Sequence, residues 1–242
     1  MACPAHHVDI SKGGHHDDKE PLMSGISDTE YVPALRFNWL TPYYDTVVGT
    51  TTRERVFKKA LIHQAQISPG QQVLDLACGT GTLATWIKRQ VPQAVVTGVD
   101  GDTAILAIAR SKAQKANIPV QFDHALSYEL PYPTAHFDRV VSSLFFHHLG
   151  WDNKQRTARE LFRILKPGAE LHVADWGRAS GLFMRGLYLG IQLLDGFGNT
   201  QDNVAGRLVE LFDGAGFADV AQGQTFNTMF GTMALYSARK PG

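Results

Sequence analysis

The sequence predicts an α/β protein: a three-layer, doubly wound, mostly parallel seven-stranded sheet with an antiparallel edge strand. Three observations predict it. From Gln71 onward, short apolar runs alternate with helix-like stretches, the rhythm of βαβ units that build a parallel sheet covered by helices on both faces. The first run leads into a glycine turn that opens a helix. The last two runs are separated only at Phe230-Gly231, a break short enough for a hairpin and hence for one antiparallel strand at the side of the sheet.

Taken in order, residues 1–27 are polar, lack apolar periodicity and are expected to form a flexible tail. Its Cys3, His6, His7, His15 and His16 are metal-ligand types, but clustered histidines without an ordered scaffold fix no coordination geometry, so no metal site is expected. Residues 28–69 read as an N-terminal helical lid: RFNWLTPYYDTVV is aromatic-rich, and Thr52-Arg53-Glu54-Arg55 opens an amphipathic helix running to about Gln66. Residues 70–242 form the core domain. Strands are expected in QQVLDLAC, AVVTGVD, VQFDHA, FDRVVSSLF and ELHVADW, with helices at Thr82–Arg89, Thr103–Ala116 and Asn153–Leu165. The last third contains an apolar segment from Gly181 to Phe197, a helix from about Asn203 to Ala215, and the strands VAQGQTFNTMF and TMALYSARK.

A chain of 242 residues holds one well-buried domain and is too short for two separate cores. Lys plus Arg equals Asp plus Glu, 23 each, so no global field recommends nucleic acid, and the expected partner is a small molecule. Two cysteines, Cys3 and Cys78, are a poor basis for a disulfide framework and fit a reducing compartment. The opening residues lack the order of a signal peptide. The stretch from Leu182 to Leu194 is interrupted by Arg185, two glycines and Gln192, too short and too polar to span a bilayer. A cytoplasmic protein is expected.

The chemistry concentrates around Val73-Leu74-Asp75-Leu76-Ala77-Cys78-Gly79-Thr80-Gly81-Thr82. Glycine suits a turn where backbone must approach a ligand or take positive φ, and the N–H groups of the following helix start can face that ligand. Nineteen residues after Gly81, Asp100 ends the second strand, where a carboxylate can accept from both hydroxyls of a ribose. Together these indicate an adenosine-type ligand. Gly79-Thr80-Gly81-Thr82-Leu83-Ala84 also satisfies the permissive G-x-G-x-x-[G/A] fingerprint, so an NAD(P)-dependent oxidoreductase is the alternative. Against it stands Asp75, inside a strand that dinucleotide-binding folds keep apolar. Its carboxylate favours a cationic ligand end and repels pyrophosphate.

VLDLACGTGTLA resembles the first motif of class I S-adenosylmethionine-dependent methyltransferases, and VVTGVDGD resembles their second. FDHALSYELPYPTAHFDRVVSSLFFHHL resembles the stretch that holds adenine and then forms the fourth strand, and RILKPGAELHVADW the turn before the fifth. These motifs run in order from Gln71 to Trp176. The closest likeness is to the small-molecule branch that includes ubiquinone and menaquinone C-methyltransferases, without quinone-specific signatures outside the shared motifs. The resemblance implies S-adenosylmethionine as cofactor, with Gly79 and Gly81 lining it and Asp75 beneath its methionine end. It implies Asp100 at the ribose, and Asp123 with the Ala125 backbone at the adenine. His124 stands where the family usually has an acidic residue. Ala77, Thr80, Gly101, His124, Ser142 and Tyr43 complete the expected cofactor set.

Acceptor chemistry is expected at the carboxyl edge of the sheet. His147 and His148 follow the fourth strand and Asp175 ends the fifth; a group titrating near neutrality can remove an acceptor's proton. Capping of loop backbone is the alternative role for the histidines. The aromatic segment Phe37, Trp39, Tyr43, Tyr44 could cover a sulfonium, which an aromatic face attracts by about 0.5–2 kcal/mol. Trp39, Trp176, Met184 and Tyr188 are the expected substrate-pocket residues, a homodimer interface or plain core being the other readings of the apolar segment. The expected function is methyl transfer to a small apolar or aromatic metabolite, against the oxidoreductase or a non-catalytic S-adenosylmethionine-binding protein, because fold alone does not prove activity.

Overall fold

The apolar runs bury side chains alternately on two faces, and helices cover both. In the computed structural model, residues 53–178, 181, 186, 202, 203 and 205–242 are described. The expected tail, the aromatic segment with Trp39 and Tyr43, and Met184 and Tyr188 lie outside them. The elements are α1 (Glu54–Ala65), β1 (Gln72–Leu76), α2 (Thr82–Gln90), β2 (Val95–Asp100), α3 (Thr103–Lys115), β3 (Gln121–His124), β4 (Phe137–Ser143), α4 (Trp151–Ile164), β5 (Leu165–Trp176), α5 (Leu208–Gly214), β6 (Ala218–Asn227) and β7 (Thr232–Arg239).

These form a seven-stranded sheet in the order β3-β2-β1-β4-β5-β7-β6. Strands β1 to β5 pair in parallel, and β7 is antiparallel to both β5 and β6. The antiparallel strand is therefore on the expected side of the sheet, one place in from its margin. Composition explains the order within the hairpin: TMALYSAR of β7 is buried almost throughout, whereas β6 is largely exposed, and a polar strand tolerates the edge that an apolar one does not. The connection is longer than Phe230-Gly231: Thr228 N and Oγ1 both donate to the Gly231 carbonyl at 2.9 Å.

On one face, Phe57 and Leu61 of α1, Leu83 and Ile87 of α2, and Leu106 and Ala109 of α3 pack with Val73, Val96 and Val141. On the other, Leu161 and Ile164 of α4 and Leu211 and Phe212 of α5 pack with Leu74, Leu76, Val140 and Leu171. Each such Val, Leu, Ile or Phe side chain, fully buried, contributes about 1.5–3 kcal/mol. Asp102 caps α3, accepting from Ala104 N at 2.8 Å and Ile105 N at 3.2 Å, the arrangement that satisfies orphan donors at a helix start. The helix expected from Asn203 begins at Leu208, because Gly206 at φ +79° interrupts it.

Helix α1 runs opposite to the parallel strands. Near its carboxyl end, Gln64 donates to the Tyr236 carbonyl at 3.0 Å, and Arg139, early in β4, donates to the Ala65 carbonyl at 2.9 Å. At its amino end, Arg53 donates to the Asn227 carbonyl at 3.4 Å; Asn227 pairs with Thr232, next to Met233, which faces Trp176 at the end of β5. The amino end of α1 thus stands at the carboxyl edge of the sheet.

Candidate active site

The strand order reverses direction between β1 and β4, and at such a switch point the carboxyl ends of the strands leave a crevice for ligands. The two turns that leave there each hold a non-glycine residue in the left-handed region, Ala77 at φ 53° and Leu144 at φ 57°. Backbone of this kind costs about 1–3 kcal/mol and persists only where its surroundings over-determine it. A carboxylate from a neighbouring strand end supplies the constraint in each case.

At the first turn the carboxylate is Asp100. It accepts from Gly79 N through Oδ2 at 2.9 Å and from Asp102 N through Oδ1 at 3.0 Å, and burial pushes its carboxyl up while those N–H groups oppose the shift. Gly81 is required twice over: it has φ +73°, and a Cβ there would lie 2.7 Å from the Phe122 ring. Among the described residues, a Cβ at Gly79, at φ +53°, would come no nearer than 4.0 Å to any atom, the closest being Ile105 Cδ1. No described residue packs against its outer side. Thr80 Oγ1 lies 3.3 Å from Thr82 Oγ1, and Lys112 Nζ donates to Thr82 Oγ1 at 2.7 Å.

Beneath this turn Asp75 is 1% exposed and accepts from Ala84 N at 2.9 Å, inside the first turn of α2. Burial pushes its carboxyl up to about 7, and the nearby Lys58 ammonium is the main influence against that rise. Cys78 is a buried packing residue whose Sγ would lie 2.9 Å from a Cβ at Gly98. On the far side of β2, Asp123 accepts from the Tyr132 hydroxyl at 3.0 Å and from Gln121. Ala125 N donates to the Asp100 carbonyl at 3.2 Å. His124 Nε2 lies 3.1 Å from the Gly101 carbonyl; a carbonyl only accepts, so Nε2 is the donor.

At the second turn the carboxylate is Asp175, which is 0% exposed. It accepts from Phe145 N, Phe146 N, His147 Nδ1, Trp176 N and Asn203 Nδ2 at 2.7–3.0 Å. Burial works to raise its carboxyl, but the His147 charge and hydrogen bond and the Trp176 N–H outweigh it and hold it low. Five donors and full burial make Asp175 a positioning group. His148 lies beside His147 with ring centroids 3.9 Å apart and the planes tilted by 41°, and burial, then the neighbouring His147, push its imidazole down to about 3. Trp176 is 3% exposed and meets the His147 ring edge-on. Ser142, also fully buried, donates to the Leu76 carbonyl at 3.0 Å and staples β1 to β4.

Residues that sequence reasoning missed join these positions. Asn203 reaches Asp175 from the segment before α5, and buried Lys154 lies 3.6 Å from Asp202, whose other oxygen holds Arg207. Glu54 and Lys58, ion-paired on α1, have side chains each only 11% exposed; the one available signal was a Glu–Lys pair at i,i+4 in line with apolar Ile62. Among the described residues no group of His, Cys, Asp or Glu is placed to hold a metal ion, and no helix is long and apolar enough to cross a membrane.

The residues present fit S-adenosylmethionine: a glycine turn at Gly79–Gly81, the Asp100 carboxylate at the end of β2, and charged groups of both signs beneath the turn. A methyltransferase-domain family profile matches residues 73–168. The chain is 33% identical over 169 residues to the demethylmenaquinone methyltransferase of Deinococcus radiodurans, covering 69% of each. It is 35% identical over 127 residues to the ubiquinone/menaquinone biosynthesis C-methyltransferase of Bordetella parapertussis, covering 52% of this chain and about half, 48%, of that enzyme. Its fold matches that of Haemonchus contortus phosphoethanolamine N-methyltransferase 2, solved with S-adenosylhomocysteine, with a TM-score of 0.62 at 18% identity over 76% of this chain and 52% of that one.

Proposed function

Because the chain belongs to the class I S-adenosylmethionine-dependent methyltransferases, we propose that it methylates a small apolar or aromatic metabolite whose acceptor atom gives up a proton to His147. The observation that carries this is the His147–Asp175 pair at the end of β4 and β5, 2.8 Å from Nδ1 to Oδ1. S-adenosylmethionine supplies a methyl group already activated on sulfur. The protein's part is to hold an acceptor in line with that group, which can lower a barrier by about 7–11 kcal/mol, and to receive its proton.

Asp100 and Gly101 would hold the ribose, and Asp123, His124 and the Ala125 backbone the adenine. Ala77, Gly79, Thr80 and Gly81 would line the turn, with Asp75 at the methionine end. Buried Ser142 acts through Leu76. When neutral, with Nδ1–H directed at Asp175, His147 presents its Nε2 lone pair to the acceptor, and once it has taken the acceptor's proton its charge is met by the same carboxylate. His148, held neutral, packs behind it. Trp39, Tyr43, Met184 and Tyr188 are assigned to the cover and acceptor wall, with buried Trp176 behind His147. The relatives are named for quinone substrates, which suits an aromatic hydroxyl-bearing acceptor. A reducing, cytoplasmic setting agrees with the scarcity of cysteine.

The test is transfer of a tritiated methyl group from S-adenosylmethionine to a panel of phenols and hydroquinones, against amines and thiols. Labelling confined to phenols or their ring carbons supports the reading. Labelling of amines alone sinks it.

A further inference from the structure

We infer that Lys58, held in place by Glu54, binds the carboxylate of the cofactor's methionine moiety while Asp75 takes its ammonium group, an assignment that rests on the methyltransferase reading above. The starting point is an ion pair in an unusual place. A Glu–Lys pair at i,i+4 belongs on a solvated helix face, where it is worth little. Glu54 and Lys58 are instead 8% and 9% exposed, on the helix that packs Phe57 and Leu61 into the core. Removing an ion pair from water is unfavourable unless further polar partners compensate, so a buried pair invites a function.

Position supplies one. The amino end of α1 stands at the carboxyl edge of the sheet, as the Arg53–Asn227 contact at one end and the Arg139–Ala65 contact at the other require. Asp75 lies between Leu74 and Leu76 on β1; those two face the α4–α5 layer, so by alternation Asp75 faces the α1–α3 layer with Lys58. With the ribose at Asp100, the ends of a bound nucleoside derivative must lie toward β3 and toward β1, the two neighbours of β2. Toward β3, Asp123 already accepts from Tyr132 and Gln121, and Arg110 donates to the Phe122 carbonyl. Toward β1 stand two carboxylates and one ammonium: Glu54, Asp75 and Lys58. That set complements a ligand end carrying an ammonium, a carboxylate and a sulfonium.

The rival cation is Lys112, which donates to the Thr80 and Thr82 hydroxyls across the turn. Charge alone does not separate the two. Ligand chemistry does.

The experiment is calorimetric titration of the full chain with S-adenosylmethionine and with decarboxylated S-adenosylmethionine, which keeps the sulfonium and ammonium and lacks only the carboxylate. The wild type should prefer the carboxylate-bearing ligand by about tenfold or more, the size of a charge-assisted hydrogen bond. The double variant E54Q/K58M, which removes both charges of the pair together, should bind the two ligands alike, and K58R should keep the preference. If the double variant does not fold, E54Q alone serves: Lys58 is then no longer held toward the ligand and the preference should narrow. A preference that persists in E54Q/K58M, or is unchanged in E54Q, overturns the assignment and points to Lys112. Failure of the wild type to bind S-adenosylmethionine at all overturns the methyltransferase reading itself.

Discussion

His147 Nδ1 lies 2.8 Å from Asp175 Oδ1, and the same carboxylate anchors the backbone N–H groups of Phe145, Phe146 and Trp176. One buried group therefore shapes the turn after β4 and aims the imidazole that follows it. The two residues should fail differently when replaced. His147→Gln should lower turnover by about 10²–10⁴-fold, the usual span of general-base catalysis, with S-adenosylmethionine affinity unchanged by calorimetry. Asp175→Ala should lower stability by about 3–5 kcal/mol in urea denaturation, since it leaves several buried donors unpaired.

The two turn glycines separate packing from ligand approach. Gly81→Ala drives a Cβ to 2.7 Å from the Phe122 ring at φ +73° and should destabilise the fold by about 1–3 kcal/mol. Gly79→Ala meets no described atom nearer than 4.0 Å, at φ +53°, and beyond the backbone strain that both positions share should lose more in cofactor affinity than in stability. Equal stability losses, with cofactor binding intact in the second variant, would contradict the assignment of the outer side to the ligand.

Asp75 links stability to pH with a defined sign. Its carboxyl is raised from 3.8 to about 7 by burial, so the folded chain holds a proton that the unfolded chain releases. The contribution is fully present below the unfolded value and is lost as pH rises through about 7. Asp75→Asn keeps an acceptor for Ala84 N and removes the titration. Its stability relative to wild type should rise between these limits by about 1–4 kcal/mol, measured by denaturation across the pH range.

His148 and His172 act at the acid end. Burial pushes His148 down from 6.5 to about 3. Burial also lowers His172, against the opposing pull of Glu170, beside which it stands on β5. The unfolded chain therefore takes up these protons first, and stability should fall as pH drops below about 6.5. His148→Asn should flatten that limb in thermal unfolding scans. A limb unchanged in both His148→Asn and His172→Gln would assign acid loss to the carboxylates.

Alternation of apolar runs, the glycine turn and the Asp100 spacing were sufficient, in the sequence, for the sheet class and for the turn at which the cofactor is proposed to bind. They are local signals. A strand's period, a glycine's positive φ at Gly79 and Gly81 and a capping aspartate such as Asp102 are each decided within a few residues, by sterics and hydrogen bonding that need no partner from elsewhere. Only the tertiary structure decided that β7 lies inside β6, that α1 turns its amino end to the carboxyl edge, that Asn203 completes the shell around Asp175, and that Lys58 comes near enough to Asp75 for its charge to act on that carboxyl. Those relations join residues far apart in the chain, and they depend on which faces pack together and which ends of elements coincide. In Lys58 a residue that looks in sequence like an ordinary solvated helix cation is instead desolvated near Asp75, because α1 packs against the sheet and excludes the water that would have kept it one.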